Sequence, residues 1–163
     1  MTDLKKKVCI CLFIAIFLSF LCSCTAKMTE TPKQIFESLQ KNYGDLPAGL
    51  YLDSQAEEWE DNYLADETIE AIFGDIATYK EGIEEGYFYL SASLDSYEEI
   101  VVLKCYTSDK ARQMGGVFQN RAKMLATLEE KKLEAKIVCR GRYMIYCRLS
   151  NAKRMASALS SLK

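Results

Sequence analysis

The sequence predicts an α+β fold, a single antiparallel sheet with helices packed on it, and three observations support this. Two stretches, about 86–106 and 135–149, each split into a pair of apolar, β-branched or aromatic runs around a short polar turn, the pattern of a β-hairpin. A long amphipathic helix joins these stretches, and shorter segments with helical spacing lie before and after them. A sheet with an apolar face needs a cover, and helices segregated onto it provide one.

The elements follow in order. Thr31, Pro32 and Gln34 form a helix start, with Thr as N-cap, Pro in the first turn and Gln positioned for a capping box. Ile35, Phe36 and Leu39 then share one face, and Gly44 can close the helix. Leu50 to Leu52 suits a short strand. Asp66 is placed to cap a short helix ending at Phe73, with Ile69, Ile72 and Phe73 inward and Gly74 as its stop. The first hairpin comprises Tyr87 to Leu94 and Glu99 to Tyr106. Within it, Ile100 to Leu103 is apolar at every position, as in a strand covered on both faces. The long helix runs from about Asp109 to Lys131, with Ser108 as its cap. Its inward stripe is Ala111, Met114, Phe118, Ala122, Leu125 and Leu128. Gly115-Gly116 lies inside it. Each mid-helix glycine costs about 1 kcal/mol relative to alanine, so the pair signals either close approach to the sheet or a break in the helix. The second hairpin, Ala135 to Arg140 and Tyr143 to Leu149, turns at Gly141-Arg142. The last helix has Ser150 as N-cap and an apolar face of Ala152, Met155, Ala156, Leu159 and Leu162.

The N-terminus has a separate logic. Lys5, Lys6 and Lys7 precede an apolar run from Val8 to Leu21, interrupted only by Ser19, and small residues follow at Ser23 and Cys24. That is the charged, apolar and small-residue layout of a secretory signal. The core from Val8 to Leu18 would make a helix of about 16 Å, short of a bilayer's roughly 30 Å hydrocarbon thickness. An uncleaved N-terminal membrane anchor, with the span extended through Ala26, is the alternative.

Leu21-Cys22-Ser23-Cys24 resembles the lipobox of bacterial lipoproteins, with Cys22 departing from the usual Ala, Ser or Thr. The resemblance implies cleavage between Ser23 and Cys24, a diacylglycerol on the Cys24 thiol, and attachment to the extracytoplasmic face of the bacterial plasma membrane. Two acyl chains hold a folded body durably, whereas one gives marginal binding. The implied organisation is a signal peptide at 1–23, a tether at 24–30, an N-terminal helix and loop at 31–49, and an α+β domain at 50–163.

Losing Lys5, Lys6, Lys7 and Asp3 takes the formal net charge from −2 to −4, and no basic, aromatic-interleaved tract is present, so nucleic acid is not an expected partner. Of the seven cysteines, Cys105, Cys139 and Cys147 remain after processing and acylation. Cys139 and Cys147 are placed either to bridge across the second hairpin or to serve as small buried apolar residues. With no histidine, imidazole-activated nucleophiles and His-based zinc sites are excluded, and neither phosphate-binding glycine motif occurs. No cofactor or metal is expected. The acidic stretch Glu57 to Asp61 lacks the alternating ligands and bend glycine of a calcium loop and suits a solvated face, with Trp59 as a lid on the core. Lys136, Arg140, Arg142 and Arg148, interleaved with Tyr143 and Tyr146, form a candidate binding patch for an envelope protein or an anionic polymer; the competing role is an edge strand kept soluble by charge.

The segment "YLSASLDSYEEIVVLKCYTSDKARQM", the helix reaching Arg121, and "GRYMIYCRLSNAKRM" together resemble the DUF4358 family of small lipoproteins of Clostridia-type bacteria. The matching positions are Glu99, Lys104, Asp109, Gly141 and Tyr143, within roughly Leu50 to Leu162; Gly115-Gly116 departs from the family's filled helix. The resemblance implies a location and a fold, and no activity. The expected function is a non-catalytic binding or interaction module of the cell envelope. The alternatives are a carboxylate-based envelope hydrolase and a purely structural envelope component.

Overall fold

A computed structural model describes residues 28–92, 97–129 and 133–162. In chain order the elements are α1 (Pro32–Tyr43), β1 (Gly49–Asp53), α2 (Asp66–Phe73), α3 (Ile76–Gly82), β2 (Ile83–Ser91), β3 (Glu99–Cys105), α4 (Ser108–Leu128), β4 (Glu134–Arg140), β5 (Tyr143–Leu149) and α5 (Ala152–Ser160). The strands form one sheet in the order β1-β2-β3-β5-β4, with every neighbouring pair antiparallel. The fold is α+β.

Helices cover both faces. On the front, Ile35, Phe36 and Leu39 of α1 and Met155, Ala158 and Leu159 of α5 meet Tyr87, Tyr89, Ile100, Val102, Ile145 and Cys147. On the back, Ile69 and Phe73 of α2 and Ala111, Met114 and Phe118 of α4 meet Phe88, Val101, Leu103, Met144 and Tyr146. Phe118 is central there, with ring centroids 5.6 Å from Phe73 and 4.9 Å from Tyr146. Because side chains alternate along a strand, double cover makes β3 and β5 apolar at nearly every position. The N-terminal helix is part of the same body, since α1 packs into the front core.

Local chemistry explains most boundaries. Thr31 accepts from the Gln34 backbone while Gln34 reaches back to Thr31, so the capping box forms. Gly74 closes α2 at a φ of 78°. The β4–β5 turn places Gly141 at a φ of 55°, and a positive φ at the first of two central turn residues is the type II′ requirement that glycine meets.

Three capping expectations are corrected. Thr107, not Ser108, caps α4 by accepting from the Lys110 backbone, and Asn151, not Ser150, caps α5 by accepting from Arg154. Ala65 precedes α2 without a side-chain cap, so Asp66 is the first helical residue. The helix α3, capped by Asp75, was not legible from periodicity because it is only seven residues long. The strand β1 pairs with β2 as a fifth strand beside the two hairpins. Gly115-Gly116 does not break α4. Gly115 faces β4, where an added Cβ would make ordinary van der Waals contact, 3.4 Å from Cys139 Sγ and 3.5 Å from Ile137 Cγ2.

Candidate functional site

The basic residues of the second hairpin do not form one surface. Along β5, Tyr143, Ile145 and Cys147 turn to the front while Met144, Tyr146 and Arg148 turn to the back, and Arg148 is 0% exposed. Tyr143 is also buried, its hydroxyl donating to the Glu30 carbonyl at 2.8 Å. Arg140 donates to the Leu162 carbonyl, Arg142 pairs with Glu84 at 2.7 Å, and Lys136 pairs with Glu134 at 2.5 Å. The expected binding set of Arg140, Arg142, Tyr143 and Arg148 is thus split by strand alternation, and two of its members are inside. Ser23 and Cys24 lie outside the described residues.

At the upper end of the sheet, where β3 starts and β5 finishes, the structure gathers charges that the sequence reading did not group. Glu99 and Arg148 sit opposite one another in register. Arg121 of α4 forks onto Glu99, with Nε 3.1 Å from both carboxylate oxygens and Nη2 2.6 Å from Oε1, while its Nη1 donates to the Ala71 carbonyl at 3.0 Å. Glu129, which closes α4, accepts from both terminal nitrogens of Arg148 and from the Tyr97 backbone at 2.8 Å. Arg148 Nη1 also donates to the Tyr97 carbonyl at 2.7 Å. Glu98, on the front, accepts from the Ser150 backbone at 2.9 Å.

Burial alone would raise Glu129, but the Arg148 guanidinium and the Tyr97 and Leu133 backbone donors outweigh it and hold the carboxyl below its ordinary value. Burial opposes charge on Arg148 as well, and Glu129 more than offsets it. The Tyr146 hydroxyl is pushed far up, by burial first and then by the Glu99 charge. Such mutually neutralised pairs hold α4, β3, β5 and the back helices in one register, whereas Glu98, buried beside them, keeps one carboxylate oxygen without a hydrogen-bond partner. A signal for this network was present in the sequence. Arg148 is the one charged residue in a strand otherwise apolar on both faces, so its burial requires an acid; Glu129 supplies it from the end of α4, while the in-register Glu99 is taken by Arg121.

The lower end, where β1 and β3 finish and β5 begins, differs. Lys104 lies 2.6 Å from Glu84 and 3.9 Å from Glu85, and Arg142 shares Glu84, all on partly exposed side chains. The Lys104 ammonium, ahead of Arg142, holds Glu84 below the usual carboxylate range, and Glu84 in turn raises Lys104. Trp59 is 82% exposed, which corrects its expected role as a core lid. The acidic residues around it are solvated, and Glu60 accepts from the Glu57 backbone at 2.7 Å.

No protein-family model, no curated protein and no solved structure matches this chain. The chemistry therefore has to be taken from the residues. Cys105, Cys139 and Cys147 are free thiols, and Cys139 and Cys147 occupy opposite faces, since β4 residue Cys139 packs by Gly115 of the back helix while Cys147 belongs to the front core. Burial pushes Cys105 and Cys147 up to about 12, which keeps both protonated and poorly nucleophilic at neutral pH. Among the described residues no group of three or more His, Cys, Asp or Glu comes together to hold a metal ion, and no helix is long and apolar enough to cross a membrane.

Proposed function

We propose that this chain is a lipoprotein acylated at Cys24 and held on the extracytoplasmic face of the bacterial plasma membrane, where its α+β body serves as a non-catalytic binding module. The observation that carries the reading is the lipobox-like Leu21-Cys22-Ser23-Cys24 directly after a charged and apolar lead. The fold adds support, because Met28 already packs against the front core and so the folded body begins within a few residues of the acylated position. The resemblance to the DUF4358 lipoproteins points the same way.

Binding is favoured over carboxylate hydrolysis because Glu99 and Glu129, the acids best shielded from water on the back face, are each committed to a guanidinium. Glycoside-type chemistry needs one raised acid facing one free carboxylate; burial raises Glu85, but its neighbour Glu84 is held by Lys104 and Arg142 and is not free. Among the expected partners, an anionic polymer relied on four basic side chains meeting on one surface; with those side chains dispersed, an envelope protein is the partner retained.

Metabolic labelling with a fatty acid, read beside the intact mass of the mature N-terminus, tests the assignment. Wild-type protein should carry label and begin at Cys24, and Cys24→Ala should lose the label and accumulate as the uncleaved precursor. Labelling that persists in Cys24→Ala would overturn the proposal.

A further inference from the structure

The lower end of the sheet carries a second set of features that the lipid anchor by itself does not use. The first described residues arrive there, where Glu30 accepts from Tyr143 and Lys33 lies 5.9 Å from the Tyr87 ring centre. Four residue steps separate Cys24 from Met28, a covalent reach of at most about 14 Å. The seven-residue strands β3 and β5 are longer than that, about 23 Å. A chain acylated at Cys24 therefore brings the lower end to the bilayer before the upper end.

The same end bears exposed aromatic side chains. The loop that follows β1 leaves and returns to it: Ser54 donates to the Gly86 carbonyl at 3.0 Å, Asp53 donates to the Asn62 carbonyl at 2.8 Å, and Asp53 bridges to Tyr63. Between those feet stands Trp59, with Tyr63 beside the bridge 37% exposed. Tyr106, just past β3 and donating to the Gly82 carbonyl, is 52% exposed. The exposed apolar residues toward the upper end, Leu50, Met124 and Leu128, are all aliphatic or thioether. Tryptophan and tyrosine concentrate at membrane–water interfaces, because their rings are apolar at one side and hydrogen-bond at the other.

We infer that the lower end of the sheet is a bilayer-facing surface, on which Trp59, Tyr63 and Tyr106 seat in the lipid headgroup layer and fix how the body stands on the membrane. The occupant is the bilayer that holds the anchor. Because Glu57, Glu58, Glu60 and Asp61 surround Trp59, the seating depends on aromatic partition and not on attraction to anionic headgroups. The inference rests on acylation at Cys24 as proposed above, and its test separates the two.

Trp59 is the sole tryptophan, so its emission reports one place. Full acylated protein, its diacylglycerol first verified by intact mass, is placed in phosphatidylcholine vesicles with and without a headgroup-level nitroxide lipid. Trp59 should shift to shorter wavelength, at least halve its quenching by aqueous acrylamide, gain quenching by the nitroxide, and keep these changes in high salt. In the acylated double variant Trp59→Phe with Leu50→Trp, the probe at the upper end should stay acrylamide-quenched and untouched by the nitroxide. Absence of the lipid mass counts against the proposed function. Lipid present with Trp59 still fully quenched by acrylamide, or with both probes equally quenched by the nitroxide, overturns the orientation.

Discussion

The two ends of this sheet use charge in opposite ways. At the upper end Arg148 and Glu129 have no exposed side-chain surface, and Arg121 and Glu99 have little. At the lower end Arg142 is 43% exposed and its partner Glu84 34%. A buried ion is tolerable only when paired and hydrogen-bonded, so removing one member leaves the other desolvated and uncompensated. An exposed pair exchanges one set of favourable contacts for water and loses little. The difference teaches that the upper end is the structural clamp, whereas the lower end is free to carry surface chemistry.

The largest test of that contrast is a pair of truncations. Arg148→Ala should lower unfolding stability by about 3–5 kcal/mol, because Glu129 is left buried without its cation. Arg142→Ala should cost less than about 1 kcal/mol. Urea unfolding of both variants measures this, and similar losses would erase the distinction between the ends. A double variant, Arg148→Met with Glu129→Met, should recover much of the loss if the penalty is the orphaned charge and not the lost contact.

A smaller effect sharpens the same point through pH. Glu129 is held below the carboxyl's ordinary 4.5, so the stability it contributes is complete above its unfolded value and disappears as pH falls through its lower folded value. Glu129→Gln should therefore flatten the acid side of the stability profile below about pH 4.5 while leaving the slope above pH 6 unchanged. An unchanged acid limb would show that other carboxylates carry it.

The smallest expected change concerns α4, which links the two ends. An added Cβ at Gly116 meets nothing within 4 Å, so Gly116→Ala should raise stability by about 1 kcal/mol through helix propensity alone. Gly115→Ala should gain as much, since its methyl would meet Cys139 and Ile137 at ordinary van der Waals distance. A smaller gain in thermal melts would mean that helix and β4 are more closely packed than these distances indicate.

Much of the architecture could be read from residue order. The capping box at Thr31, the glycine stops at Gly44 and Gly74, the stripe Ala111-Met114-Phe118 and the turn at Gly141 are all local signals, set by contacts only a few residues apart. Short α3 shows too little periodicity to be read, and the exact caps at Thr107 and Asn151 are obscured because the adjacent Ser108 and Ser150 are equally good capping residues. The candidate site was less legible. Arg140, Arg142 and Arg148 are close in sequence but not in space, because a strand sends alternate residues to opposite faces. Trp59 was misplaced because a lone aromatic in an acidic loop has no periodicity to show which way it turns.

By itself the sequence determined the fold class, the helices and hairpins, the absence of imidazole chemistry, and the lipobox-like segment that motivates a membrane address. Only the tertiary structure decided that Arg148 is a buried clamp, that Cys139 and Cys147 sit on opposite faces, and that the chain's arrival point and the exposed aromatics share one end of the sheet. The physical reason is range: propensity, capping and periodicity act between near neighbours. Burial, charge pairing and surface composition depend on residues brought together across strands from distant parts of the chain.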